Sequence, residues 1–245
     1  MHVWQDRVRE IVHHKLSVTT LAAFNTNVDA VVHLTQEHVA ALCQDPQVSL
    51  AEVNSIASDD VLEVYTANEF VAVLKGALGY GKSSYVILRN LELLNWLEEK
   101  FATRKESMGG QAGIIANQMA ALGANSIVYT SLLSPKQAQM FFPAVLVPVV
   151  KDGLQVVPVS EAANPADQVK VNWIFEYPKN VEFDFCGEIV KTPRANRVIV
   201  ATRPAGVVMG FSDELAPHLP ELGKKVDVAF MAGYHYASPE EDKLR

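Results

Sequence analysis

Apolar and polar positions along the first hundred residues follow the periods of helices and strands in turn. Apolar residues recur at spacings of one, three and four over residues 3–14, which predicts an amphipathic helix. The run 18–24 is short, apolar and rich in valine and threonine, which predicts a buried strand. The leucine-rich stretch after Ser83 and Ser84 is predicted to be one helix, capped by serine and running to about residue 101.

From residue 110 onward the pattern alternates between helix and strand. Residues 110–122 and 135–142 are predicted helices, and residues 126–131 and 145–150 are predicted strands. This βαβ alternation is typical of a mostly parallel sheet covered by helices. Residues 154–200 then show strand patterns without a helical period, which predicts a small antiparallel meander.

Two β-rich pieces therefore interrupt an α/β body. We predict a body made of residues 1–27, 36–153 and 204–245, and a discontinuous β-rich lid made of residues 28–35 and 154–203. A lid of this kind commonly excludes water while a phosphoryl group is transferred.

Composition and charge narrow the class of protein. A net charge of −7 argues against a broad nucleic-acid-binding surface, which is usually basic. No apolar run approaches the roughly 18–20 residues that cross a bilayer, and no signal peptide is visible. We therefore expect a soluble cytoplasmic protein without a membrane partner. The two cysteines, Cys43 and Cys186, lie far apart in sequence and are expected to be buried thiols rather than a disulfide.

Two short polar signatures stand where predicted elements begin. Asn27 and Asp29 follow the first predicted strand, and an amide and a carboxylate two residues apart can pair with sugar hydroxyls. The turn Gly109–Gly110 opens the helix that starts at Gln111 and contains Asn117. Backbone N–H groups at a helix N-terminus suit a polyol or an anion. Together these signatures predict a carbohydrate site on an α/β scaffold.

These signatures and three later segments resemble the ADP-dependent sugar kinases, the phosphofructokinases and glucokinases of the ribokinase-like superfamily. The resemblance extends from the N-terminal helix to Gly233. The segments that carry it are FNTNVDA (24–30), GGQAGIIAN (109–117), KVNWIFEY (170–177), PRANR (193–197) and MAGY (231–234).

The resemblance implies a ribokinase-like three-layer αβα body with a small discontinuous β-sheet lid. It also implies ADP as phosphoryl donor, Mg²⁺ as cofactor, AMP as product, and a sugar or sugar phosphate bound between body and lid. The residues that it assigns to the sugar are Asn27, Asp29, Gly109, Gly110, Gln111, Asn117, Lys170, Asn172, Arg197 and Arg203.

The chain departs from the family in its length and in its catalytic loop. A Gly-x-Gly-Asp pattern, which carries the family's catalytic aspartate, does not occur here. The family's Mg²⁺-binding segment and nucleotide loops lie further along than residue 245. We therefore expect the N-terminal half of such a kinase, with the acceptor-sugar site but no catalytic residue and no metal ligand. Such a chain would be inactive without a C-terminal half.

Fructose 6-phosphate is the acceptor that the resemblance favours. Tyr85 occupies the position at which glucokinase members carry a glutamate, and Asn172 the position at which they tend to carry a histidine. Lys170 and Arg203 match the positions at which phosphofructokinase members hold the 6-phosphate, and an arginine fork suits a phosphate. The alternatives are an ADP-dependent glucokinase or bifunctional kinase, a non-catalytic sugar-phosphate-binding protein, and an ATP-using relative.

Overall fold

The computed structural model describes residues 2–204, 207 and 209–233. The strands are β1 Thr19–Phe24, β2 Asn27–His33, β3 Glu63–Val64, β4 Ser84–Leu88, β5 Lys105–Gly109, β6 Asn125–Tyr129, β7 Leu146–Val150, β8 Leu154–Pro158, β9 Val171–Tyr177, β10 Glu182–Phe185, β11 Glu188–Lys191, β12 Asn196–Thr202 and β13 Val228–Ala232. The helices are α1 His2–His13, α2 Gln36–Cys43, α3 Leu50–Ser55, α4 Ala67–Tyr80, α5 Leu91–Lys100, α6 Gln111–Ala121, α7 Pro135–Ala138, α8 Val159–Ala162 and α9 Leu219–Gly223, with a 3₁₀ helix at Ala216–His218.

The described residues form two compact units, each assembled from separate stretches of the chain. The first unit takes the described parts of 1–28, 108–170 and 204–245, and the second unit takes 29–107 and 171–203. This division differs from the body and lid expected from the sequence, because residues 36–107 belong with the later strands. The pairing of β4 with β12 produces the difference, since these strands are distant in sequence and a local pattern carries no signal of their contact.

The first unit is built on a five-stranded mixed sheet in the order β13-β1-β6-β7-β8. β1 lies parallel to β13 and β6, whereas β7 and β8 form an antiparallel pair. All of β1 except its first residue is buried, as expected of a central strand covered on both faces. Ala22 packs on the side of α6, and Leu21 and Ala23 pack on the opposite side with Leu215 and Leu222. The predicted α/β architecture is confirmed.

The second unit is built on a six-stranded mixed sheet in the order β3-β4-β12-β9-β2-β5. Helix α4 and the end of α5 cover one face, where the rings of Phe70 and Phe101 lie 5.0 and 4.8 Å from that of Phe175. Alternate side chains of a strand point to the opposite face. On that face Tyr85 and Arg197 are exposed. The second unit therefore contains helices as well as strands, and one face of its sheet carries polar side chains.

The predicted helix after Ser84 is wrong in its first part. Residues 84–88 form β4, and α5 begins only at Leu91. The Asn90 side chain caps this helix by accepting the Glu92 N–H at 2.9 Å. Strand β4 and helix α5 are separated by just two residues. Their apolar positions together therefore resemble the pattern of one long helix.

A disulfide joins Cys43 at the end of α2 to Cys186 in the β10–β11 turn, with the Cα atoms 5.6 Å apart. The prediction of two thiols is therefore wrong, because both cysteines belong to the second unit despite their distance in sequence. The Asp184 N–H donates to Gln36 Oε1 at 2.9 Å, and Gln36 Nε2 donates to the Asp184 carbonyl at 3.2 Å. A covalent bond and two hydrogen bonds thus fasten the hairpin to α2.

Candidate functional site

The turn between β1 and β2 is held by the start of α6. The Ala112 N–H donates to the Asn25 carbonyl at 3.0 Å, so one amide of the helix N-terminus binds the turn itself. Gly110 has a φ of 73°, and a Cβ there would stand 2.4 Å from the same carbonyl oxygen. The adjacent Gly109 is buried. The glycine signature thus brings the N-terminus of α6 against the turn that leads to Asn27, which is also buried.

A buried ammonium group lies beside this turn. Lys170 is 5% exposed, and its Nζ donates to Thr130 Oγ1 at 2.6 Å and to Thr26 Oγ1 at 3.1 Å. The Thr26 hydroxyl donates to Thr130 Oγ1 at 2.8 Å and accepts from the side-chain amide of Gln137. Two hydroxyls therefore fix the Lys170 ammonium, and one of them precedes Asn27 directly.

The other residues predicted on α6 have different surroundings. Gln111 is the first residue of the helix and is exposed. Asn117 lies about 9 Å further along the helix axis, at 1.5 Å per residue. Its side-chain amide donates to the Met140 carbonyl and its side-chain oxygen accepts the Phe142 N–H, both at 2.9 Å. Asn117 therefore holds the 140–142 turn, and the structure does not place it at the helix N-terminus with Gly110.

In the second unit, Asp29 and Asn172 form a side-chain pair across β2 and β9. Asn172 Nδ2 donates to Asp29 Oδ1 at 3.3 Å. The Oδ1 of Asn172 is buried and has no hydrogen-bond partner among the described residues. A buried acceptor that lacks a donor costs about 1–3 kcal/mol. The hydroxyl of a ligand is one donor that would satisfy it.

Arg203 follows β12 directly, and its guanidinium is folded onto Tyr85 of β4. Nη2 donates to the Tyr85 hydroxyl, and the guanidinium carbon lies 5.7 Å from the centroid of the ring. Nη1 donates to the Thr202 carbonyl at 3.2 Å. The residue that replaces the glutamate of glucokinase members therefore contacts the residue predicted to bind a phosphate.

Arg197 lies on the same face of the second unit's sheet as Asn172 but at the other end of it. In the β9–β12 pairing, Arg197 is opposite Glu176, whereas Asn172 is opposite Ala201. Four residues of extended strand correspond to about 13 Å. The Nδ1 of His33 lies 3.3 Å from the Glu176 carboxylate. The structure thus groups Arg197 with Glu176 and does not bring it to Asn172.

Most of the predicted residues lie close to the points at which the chain passes from one unit to the other. It does so after Val28, Ser107, Lys170 and Arg203. The predicted residues within three positions of these points are Asn27, Asp29, Gly109, Gly110, Lys170, Asn172 and Arg203. The predicted set therefore falls into two groups, one in each unit.

Sequence reasoning missed three contacts of the predicted residues. Thr26 and Thr130 bind Lys170, and Tyr85 binds Arg203. Thr26 stands inside the FNTNVDA segment, so its hydroxyl was a visible candidate. The other two contacts join segments that are distant in sequence, and no local pattern links them.

A cavity of about 360 Å³ opens at the carboxyl ends of β6 and β7 in the first unit. Its lining includes Thr130, Ser131, Asp167, Ser212 and Glu214. Ligands of α/β folds commonly bind at the carboxyl ends of strands. None of the predicted residues lines this cavity, and it meets the Lys170 contacts only through Thr130.

In the part of the chain that the structure describes, no group of three His, Cys, Asp or Glu side chains is placed to hold a metal ion. Across residues 2–204, 207 and 209–233, no helix is long and apolar enough to cross a bilayer.

Comparison with solved structures identifies the α/β fold as that of ADP-dependent kinases. The chain superposes with a TM-score of 0.78 on a structure described as a hypothetical ADP-dependent phosphofructokinase from Pyrococcus horikoshii, at 35% identity over 90% of this chain and 49% of that one. It superposes with a TM-score of 0.73 on an ADP-dependent kinase in complex with fructose-6-phosphate and ADPβS. That match is 32% identical and covers 96% of this chain and 46% of the other.

Comparison of sequences gives the family. The conserved region of ADP-specific phosphofructokinase/glucokinase matches residues 19–245. The ADP-specific phosphofructokinase of Pyrococcus abyssi is 37% identical over 220 residues, which cover 89% of this chain and 48% of the relative. The chain belongs to the ADP-specific phosphofructokinase/glucokinase family, and the resemblance seen in the sequence is confirmed. It spans about half the length of the curated relatives that it matches.

Proposed function

We propose that this chain carries the acceptor-sugar site of an ADP-dependent phosphofructokinase. In the proposed reaction, the 1-hydroxyl oxygen of fructose 6-phosphate forms a bond to the β-phosphorus of ADP. The bond from that phosphorus to the oxygen shared with the α-phosphate breaks, and the hydroxyl proton is lost to a base. The products are fructose 1,6-bisphosphate and AMP. The part of this chain is to bind and orient the acceptor, which is a major source of catalysis in phosphoryl transfer.

The observation that carries the proposal is the placement of a hydroxyl-binding pair and a cation on one face of the second unit's sheet. Ala201 lies opposite Asn172, and Arg203 follows two residues later on the same face. The Asp29 carboxylate accepts hydrogen bonds, the Asn172 amide both donates and accepts, and a guanidinium binds a phosphate through two parallel bonds. An acceptor that has both hydroxyls and a phosphate fits these three side chains.

The first unit also carries a cation that the family resemblance assigns to the acceptor. The hydroxyls of Thr26 and Thr130 hold the ammonium of Lys170 in place. We propose that Lys170 and Asn27 bind the acceptor from this unit, together with the backbone at Gly110.

The donor and the cofactor follow from the family. The descriptions of the relatives name ADP, and we propose ADP as the donor for this chain as well. Mg²⁺, which the family resemblance implies, neutralises phosphate charge when bound. The described residues include no group of three His, Cys, Asp or Glu side chains placed to hold this ion.

Fructose 6-phosphate is proposed as the acceptor rather than glucose because of two charge differences. Arg203 and Lys170 are cations, which suit the anionic phosphate of fructose 6-phosphate better than an uncharged sugar. Tyr85 supplies no carboxylate at the position where glucokinase members have one.

Calorimetric titration of the purified chain with fructose 6-phosphate and with glucose tests this function. We expect saturable binding of fructose 6-phosphate and none of glucose. Hydrogen bonds to charged groups are the strong ones, so Asp29→Ala and Arg203→Ala are each expected to weaken binding about 10- to 100-fold.

Arg197→Ala is the matched control. It removes a cation from the same sheet face, about 13 Å along the strand from the Asn172 row, and affinity should change by less than about twofold. The proposal is wrong if neither sugar binds, if glucose binds as well as fructose 6-phosphate, or if the control variant loses as much affinity as Arg203→Ala.

A further inference from the structure

The path of the Arg203 side chain is fixed by the register of β4 and β12. Tyr85 lies opposite Ile199, so Arg203 stands four residues further along than the partner of Tyr85. The Arg203 guanidinium nevertheless contacts the Tyr85 hydroxyl. On its other side β12 pairs with β9, where Ala201 is opposite Asn172. The strand that leads to Arg203 therefore lies between Tyr85 of β4 and Asn172 of β9.

Tyr85 itself projects from an anchored segment. The Gly81 carbonyl accepts the Arg194 Nε–H at 2.5 Å, and the Tyr177 hydroxyl donates to the Lys82 carbonyl at 2.6 Å. Burial raises the pKa of Tyr177 to about 12, so this hydroxyl keeps its proton at neutral pH. The backbone that leads into β4 is thus tied to β9 and to the segment before β12, which gives Tyr85 a rigid support.

An arginine held in this way has lost part of its conformational freedom before any ligand arrives. Ordering a long side chain on binding costs affinity, and preorganisation reduces that cost. The Tyr85 hydroxyl fixes one guanidinium nitrogen, and the ring fixes the position of the cation above its face. Because a phosphate binds in the plane of the guanidinium, the orientation of that plane decides how well both hydrogen bonds form.

We propose that Tyr85 is a positioning residue, which sets the preference for a phosphorylated acceptor by orienting Arg203. The inference rests on the proposed role of Arg203 in binding the 6-phosphate. A glutamate at position 85 would act in the opposite sense, because it would pair with the guanidinium and take the donors that a phosphate needs. The residue at position 85 would then affect both how the hydroxyls of the acceptor are bound and how its phosphate is bound.

A double-mutant cycle on the purified chain tests the coupling. The variants are Tyr85→Phe, which keeps the ring, Tyr85→Leu, which removes it, Arg203→Ala, and each Tyr85 variant combined with Arg203→Ala. We expect Tyr85→Phe to weaken fructose 6-phosphate binding about 2- to 10-fold and Tyr85→Leu more than that. In the Arg203→Ala background, neither Tyr85 change should weaken binding further. Tyr80→Phe, at an exposed tyrosine of the same unit, is the matched control and should have no effect.

Nitrogen-15 NMR of the arginine side chains shows, without any ligand, whether the Arg203 guanidinium is held in one orientation. We expect separate, slowly exchanging guanidinium signals for Arg203 in the original chain and averaged signals in Tyr85→Leu. Unchanged Arg203 signals in Tyr85→Leu, or additive losses of affinity in the cycle, would overturn the inference.

The two proposals can fail separately. If Arg203→Ala leaves fructose 6-phosphate binding unchanged while the NMR signals depend on Tyr85, the phosphate role of Arg203 is wrong but Tyr85 still orients it. If Arg203→Ala weakens binding but the cycle is additive, the function stands and the positioning role is wrong.

Discussion

The two units use their sheets in opposite ways. In the first unit the central strand β1 is buried on both faces, and its residues serve packing. In the second unit an aromatic cluster covers one face, while the other face carries Asp29, Asn172 and Tyr85. A sheet that leaves polar side chains on one face gains less from burial. We therefore expect the stability of the second unit to depend more on other interactions, of which the disulfide is the clearest.

The largest difference in stability between the two units is expected when the disulfide is removed. Cys43→Ser with Cys186→Ser opens a link across a sequence separation of 143 residues, whose closure corresponds to at most about 5 kcal/mol in a chain-entropy account. Trp96 and Trp173 are buried in the second unit, whereas Trp4 of the first unit is already exposed, so the change in fluorescence in a denaturant titration mainly reports unfolding of the second unit.

Hydrogen exchange should locate that loss. We expect amides of β9 and β12 to lose protection and amides of β1 and β6 to keep it. Reductant added to the double variant is the control and should change nothing. Equal loss of protection in both units would show that the link does not stabilise the second unit selectively.

A substitution at Gly110 probes the close packing of the first unit. Gly110→Ala combines a positive φ with a Cβ that would stand 2.4 Å from the Asn25 carbonyl oxygen, so we expect a loss of about 3 kcal/mol in unfolding free energy. Gly187→Ala is the matched control, because φ is also positive there but a Cβ would meet nothing within 4 Å. That variant should lose about 1 kcal/mol. Equal losses in chemical denaturation would mean that the approach to Asn25 is unimportant.

The smallest effect is expected from acid titration of one carboxylate in the second unit. Asp45 is buried, lies 2.6 Å from Lys100 Nζ, and accepts the Trp96 indole N–H at 3.1 Å. Burial by itself raises the pKa of Asp45, but hydrogen bonds from Lys100, the Gln47 N–H and Trp96 outweigh it and hold the pKa below its usual value. Asp45 also raises the pKa of Lys100.

The sign of the pH dependence follows from these shifts. The contribution of Asp45 is complete above its unfolded pKa of about 3.9 and is lost as the pH falls through the lower folded pKa. The contribution of Lys100 is complete below its unfolded pKa of about 10.4 and is lost as the pH rises through the higher folded pKa. We therefore expect the free energy of unfolding to fall on the acid side, measured by tryptophan fluorescence in denaturant at each pH. Asp45→Asn should flatten this acid loss, whereas Asp60→Asn, at an exposed carboxylate, should leave it unchanged.

The local elements of the first unit were largely readable from the sequence. The apolar run before Asn25 is β1, and the helix after Gly110 is α6, because each has a single period and a clear boundary. The segment 84–101 was misread since a strand and a helix follow one another with two residues between them. The division into units was not readable, because it depends on which distant strands pair.

The candidate site is limited in the same way, because local signatures indicate residues but not their contacts. Asn27 and Asp29 were found as a local signature, yet they belong to different units. Asn117 belongs to the same helix signature, but its side chain holds a turn. Thr130 and Tyr85 come from other parts of the chain, so no local pattern shows that they contact Lys170 and Arg203. The residue types in a local segment indicate the chemistry of the candidate residues. Their contacts depend on the pairing of segments that are distant in sequence.

The repeated passage of the chain between units has a consequence at the level of the gene. Because the chain passes from one unit to the other four times, neither unit corresponds to one continuous stretch of coding sequence. A single deletion or a single proteolytic cut cannot separate them, and expression of the second unit alone requires residue 107 to be spliced to residue 171. Recombination at any one site within residues 29–203 would likewise divide both units at once.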